Sequence, residues 1–140
     1  MFELLILNGA EVDAKDNHNM TPLIVSAAAC KKWRDRYVAE ILISYGADVN
    51  ASDDMGRTPL HAAAEMLNKY FAEMLIIHGA NVNARNRKGK TPLFYTDYKN
   101  WDQRAVTEPV KLGSSNDSMM NWIVEASDMA ELLKRFGAVE

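Results

Sequence analysis

The residues of this 140-residue chain best suited to chemistry are three histidines, one cysteine and one basic run. Three imidazoles could hold a metal or move protons, but a metal site needs ligands that converge at short, regular spacings. His18, His61 and His78 fall at three unlike positions and form no local motif. Cys30 has no partner for an internal disulfide, reads as a small core or loop residue, and points to a reducing compartment. The basic run, Ala84-Arg85-Asn86-Arg87-Lys88-Gly89-Lys90-Thr91, ends like a phosphate-cradling loop. That motif needs glycine where Ala84 stands and a helix directly after Lys-Thr, where Pro92 would be the second helical residue. It therefore reads as a turn. The sequons at Asn50 and Asn116 carry little meaning without a signal peptide. No catalytic residue, metal ligand or cofactor is assigned, and the chain is read as non-enzymatic.

Composition agrees with that reading. Hydrophobic residues make up 48% and charged residues 25%, as in an ordinary soluble domain. A net charge of −3 creates no global field for nucleic acid or an anionic membrane. The apolar runs are far short of the ~20 residues that span a bilayer. Glu3 and Gly9 argue against a signal peptide at the start, so a cytoplasmic location is expected.

The elements that must position these side chains recur. Thr-Pro-Leu occurs at Thr21, Thr58 and Thr91, 37 and 33 residues apart, and Gly-Ala occurs at Gly9, Gly46, Gly79 and Gly137. FELLILN, VAEILISY, FAEMLIIH and MAELLKRF precede the four Gly-Ala pairs, and EVDAKD, DVNASD and NVNARN follow the first three. Two markers that keep one register define a repeat. Within it, Thr58 suits a helix N-cap and Pro59 the first helical position. Ala62, Ala63 and Ala64 make that helix thin enough for a neighbour to approach closely. Lys69 to Ile77 carries a broad apolar face, and Gly79 can end it in the left-handed conformation. Gly56 and Gly89 make tight turns, with Asn19 at the same position of the first full unit.

Thr58-Pro59-Leu60-His61-Ala62-Ala63, then Leu75, then Gly79-Ala80-Asn81-Val82-Asn83-Ala84, resembles the ankyrin repeat, over residues 1 to about 99 and again about 127 to 140. The resemblance implies an all-α fold, an ankyrin-repeat solenoid of stacked helix–turn–helix units with projecting β-hairpin-like fingers. The expected division is one domain: a partial repeat over 1–15, repeats over 16–52 and 53–85, and a terminal repeat over 86–140 with an insertion at about 100–126. Helix pairs are expected at about 22–29 with 37–45, 59–66 with 69–77, and 92–99 with 128–136. His61 resembles a family residue that hydrogen-bonds neighbouring units.

The implied function is a protein–protein interaction module. Its partner would lie on the finger tips and the exposed ends of the inner helices. The matching positions are Asn17, His18 and Met20; Asp54, Met55 and Arg57; Arg85, Arg87, Lys88 and Lys90; and, on inner helices, Glu65, Met66 and Tyr98. Lys15, Ser52, Ala28, Ala29 and Lys99 flank them. The alternative is recognition of a polyanion, nucleotide or nucleic acid through the basic third finger, with Tyr95, Tyr98 and Trp101 to stack on bases.

Three departures from the repeat carry further expectations. Four extra residues around Cys30 to Arg36 predict either a lengthened helix or a longer loop. The insertion predicts a loop and then a separate helix, carrying Met119, Met120, Trp122, Ile123 and Ala126, that covers the end of the stack. Lys134-Arg135 replaces Ile43-Ser44 and Ile76-Ile77, so this end reads as a finished, charged end repeat. Met1 to Leu7 reads as an outer helix without an inner one before it, cut from a longer array or covered by another molecule. Self-association through it, or fraying of residues 1–8, is expected.

Overall fold

Each Thr-Pro-Leu opens a short helix for a local reason. In the computed structural model, which describes residues 11–29, 33–97 and 116–139, α1 spans Pro22–Ala29 and α3 spans Pro59–Glu65. The Thr21 hydroxyl accepts from the Ile24 amide at 3.3 Å. Thr58 does the same for His61 at 3.4 Å, and the Thr58 amide donates back to His61 Nδ1 at 3.1 Å. This is a reciprocal capping box with histidine where glutamate or glutamine usually stands.

The third inner element corrects the expected helix at 92–99. It is a 3₁₀ helix, Pro92–Thr96, and Asp97 is already extended. Thr91 makes no side-chain cap bond, and bulky Phe94 and Tyr95 stand where α3 carries His61 and Ala62. The Thr96 hydroxyl donates to the Leu93 carbonyl at 2.7 Å, which favours the tighter turn.

The outer helices are α2, Trp33–Ser44; α4, Lys69–Ile77; and α5, Asn116–Arg135. Of the four extra residues of the first full unit, three lengthen α2 at its start and one lengthens α1 relative to the second unit. Asn68 caps α4, its side-chain oxygen accepting from the Phe71 amide at 3.0 Å. The separate helix expected within the insertion and the outer helix expected at 128–136 are one continuous helix, since α5 contains no glycine or proline to divide them. The side chains of Met119, Met120, Trp122 and Ile123 lie outside the described set. All three outer helices end alike. Gly46, Gly79 and Gly137 take positive φ, and the amides of Ala47, Ala80 and Ala138 reach back to Leu42, Leu75 and Leu133 at 2.9–3.0 Å. This paired closure satisfies carbonyls that the helix end would leave open.

Inner helices lie side by side, α1 against α3 and α3 against the 3₁₀ helix, and α1 and α3 each pack on their own outer helix. Leu23, Leu60 and Leu93 recur in the core, as do Leu42, Leu75 and Leu133. Ala62, Ala63 and Ala64 are fully covered, as thin residues wedged between neighbours must be. No β-strand occurs among the described residues. The fingers are turns closed by one hairpin-type bond each: Asp16 to Met20, Asp53 to Arg57 and Asn86 to Lys90, at 3.0–3.1 Å.

Candidate partner-binding surface

One side chain organises each finger. Asp16 Oδ1 accepts from the amides of His18 and Met20, Asp53 Oδ1 from Met55 and Arg57, and Asn86 Oδ1 from Lys88 and Lys90, all at 2.9–3.0 Å. The Met20 and His18 amides hold the Asp16 carboxyl below its usual range. Three residues after each organiser comes the residue that turns the chain with positive φ: Asn19, Gly56 or Gly89.

The fingers are also bonded to each other. The Asp54 amide donates to the His18 carbonyl at 3.0 Å, and the Arg87 amide to the Met55 carbonyl at 2.9 Å. This approach leaves no room for a side chain at Gly56, where a Cβ would sit 3.0 Å from the Arg87 nitrogen. Asn19 donates to Asp54 Oδ1 across the same gap, with His18 Nδ1 at 4.0 Å from the other carboxylate oxygen. At the finger bases a second ladder runs between units. Asn50 bridges the Gly79 carbonyl and Asn81 amide, and Asn83 bridges the Gly137 carbonyl and Val139 amide. At the same position Asp13 only accepts, from the Asp48 amide at 3.1 and 3.2 Å.

His61 links an inner helix to the next finger. Nδ1 accepts from the Thr58 amide, so Nε2 carries the hydrogen and donates to the Lys90 carbonyl at 2.9 Å. Burial pushes its pKa down, so the ring stays neutral. It stands edge-on to Tyr95, whose hydroxyl accepts from Asn86 Nδ2 at 2.7 Å.

The predicted contact residues differ in what is left for a partner. Asn17, His18, Met55, Arg85, Arg87 and Lys88 are exposed, as are Lys15 and Ser52. Met20, Asp54, Met66 and Ala28 are half-buried. Arg57 is held by Asp53 at 3.1 Å and Glu65 at 3.2 Å, and the Glu65 side chain is only 13% exposed. Lys90 lies over the Phe94 ring, 4.0 Å from its centre. Tyr98 and Lys99 lie outside the described residues, as do Trp101 and the side chain of Ala29. The fingers thus bring together most of the set on one continuous edge. Sequence reasoning passed over Asp16, Asp53 and Asn86. Their signal was an Asp or Asn three residues before each turn residue.

Among the described residues no cluster of histidine, cysteine and carboxylate side chains could hold a metal ion. None of their helices is long and apolar enough to cross a membrane. Residues 1–86 match the protein family described as "Ankyrin repeats (3 copies)". The chain belongs to the ankyrin-repeat family. No curated protein matches it. Ankyrin repeats generally serve as protein–protein interaction modules and are typically not enzymes, and the helical, strand-free architecture of the described residues is theirs.

Proposed function

We propose that this ankyrin-repeat chain is a non-enzymatic binding module that engages a protein partner along its finger edge and the adjoining ends of the inner helices. The observation that carries the reading is the bonding of the finger backbones to one another, Asp54 to His18 and Arg87 to Met55. A surface already held in place has little conformational freedom left to lose on association, so its contacts convert to affinity efficiently. Met55, 50% exposed at the centre of that edge, supplies apolar area, and the charged tips on either side supply orientation.

The proposal includes the division into a partial unit over 1–15, units over 16–52 and 53–85, and a terminal unit over 86–140. It also includes a cytoplasmic setting, motivated by the single cysteine. Self-association through the apolar N-terminal residues is a further part, supported by Val25, which is 46% exposed on α1. Residues 1–10 themselves lie outside the described set.

Affinity capture from the source cell, read by mass spectrometry, tests the main reading. Wild type is compared with a Met55→Ser/Met66→Ser variant of unchanged melting temperature. Retention of a protein by wild type and its loss by the variant supports the reading. Retention of nucleic acid alone, or of the same proteins by both chains, overturns it.

A further inference from the structure

Finger one carries one cation and one carboxylate, Lys15 and Asp16, finger two is acidic with Asp53 and Asp54 against Arg57, and finger three is basic. The organising position is Asp16 in the first finger and Asp53 in the second, but Asn86 in the third. Asp53 uses its second oxygen to hold Arg57, and Glu65 closes on the same guanidinium. Asn86 has no charge for this, and its amide instead donates to Tyr95. The cation at the Arg57 position, Lys90, is turned onto the Phe94 ring. Three cations remain at the tip, Arg85, Arg87 and Lys88. All are exposed, and none has a carboxylate partner among the described residues. The charge is local, in a chain whose net charge is −3.

We propose that this tip, with Met55 beside it, binds an acidic protein segment that carries an apolar side chain within about three residues of its carboxylates. This rests on the protein-binding reading above and names the chemistry of the partner. The spacing follows from the fingers. Arg87 donates its amide to the Met55 carbonyl, so charge and apolar surface sit on adjacent, hydrogen-bonded backbones. Neighbouring backbones bonded in this way lie about 5 Å apart, which an extended peptide crosses in one or two residues. Guanidinium groups pair with carboxylates through two parallel hydrogen bonds, a preference that Arg85 and Arg87 would express.

A polynucleotide fits the same edge less well. Every nucleotide carries a phosphate, so a strand crossing both fingers would bring some of its charges against Asp54, whose side chain is 43% exposed on the next finger. A peptide can place its carboxylates on finger three alone and meet Asp54 with a neutral or basic residue.

The test is selection from a random 12-residue peptide library on the intact chain, with fluorescence anisotropy of the selected peptides and of a dT20 oligonucleotide. The expected peptides carry two or more Asp or Glu within three residues of a Leu, Ile, Met or aromatic residue. Changing their acids to amides, or replacing Arg85, Arg87 and Lys88 by serine, weakens binding roughly tenfold with the melting temperature unchanged. Lys88→Arg retains binding. Selected peptides that are neutral or basic, yet lost with Met55→Ser, overturn this inference and leave the protein-binding reading standing. Tight dT20 binding abolished by the three serines, or enrichment of no peptide at all, overturns both.

Discussion

His61→Ala should be among the most costly single changes outside the leucine core. The ring is fully buried and ties two elements together. Its removal takes the acceptor from the Thr58 amide and the donor from the Lys90 carbonyl, bonds of 3.1 and 2.9 Å. Each bond contributes about 1 kcal/mol, and a buried amide left without an acceptor costs about 1–3 kcal/mol more. The expected loss is therefore about 3–5 kcal/mol, a large part of the roughly 5–15 kcal/mol that holds a domain together. Urea unfolding with linear extrapolation measures it. His61→Gln separates the two halves, because glutamine at this helical position can still accept from the cap amide. It should cost about 1–2 kcal/mol. A loss below about 1 kcal/mol for alanine would show that the two His61 bonds do not hold these elements together. It would mean that the site tolerates an aliphatic side chain, as the first unit does with fully buried Ile24 at the same register.

Three further outcomes follow from the same geometry. Burial holds the His61 pKa below 6.5, so as pH falls the unfolded chain takes up its proton first. This contribution to stability is complete above about pH 7.5 and is lost below 6.5, with a slope of at most about 1.4 kcal/mol per pH unit. Unfolding curves between about pH 7.5 and 5.5 should show the slope in wild type and lose it in His61→Gln. Gly56→Ala should cost about 2 kcal/mol and Gly89→Ala about 1 kcal/mol. Both have φ near 70°, but only at Gly56 does a new Cβ meet the next finger, at 3.0 Å, and equal losses in parallel melts would contradict this. Asp13→Asn should stabilise by about 0.5–1 kcal/mol. Asparagine can donate toward the Gly46 carbonyl as Asn50 and Asn83 do to Gly79 and Gly137, whereas a carboxylate has no hydrogen to give. A lower melting temperature in Asp13→Asn would contradict it.

The repeat was legible because it is written in punctuation. Thr-Pro fixes where an inner helix starts, Gly-Ala where an outer one stops, and the predicted cap at Thr58 and left-handed turns at Asn19 and Gly79 are all found. Leu67, at φ 54, carried no such mark. Its side chain packs against the core, and that packing holds a backbone that glycine would adopt more easily. The 3₁₀ helix at Pro92–Thr96 was not legible, because its Thr-Pro-Leu start is the same as that of α3 and the difference lies in later side chains. The long α5 was divided by repeat register, where only a glycine or proline would have divided it physically. At the surface, residue type separated charged from apolar tips. Which charges are already engaged, such as Arg57 between Asp53 and Glu65, depends on contacts across eight residues that no local pattern encodes.

Site-specific photo-crosslinking in extract of the source cell tests most directly whether the finger edge meets a protein partner. A benzophenone amino acid is placed in turn at Met55 on the finger edge and at Tyr70 on outer helix α4, which are 50% and 70% exposed. A discrete protein adduct is expected from position 55 and none from position 70. A protein adduct from position 70 alone, or a nucleic-acid adduct from position 55, would contradict it.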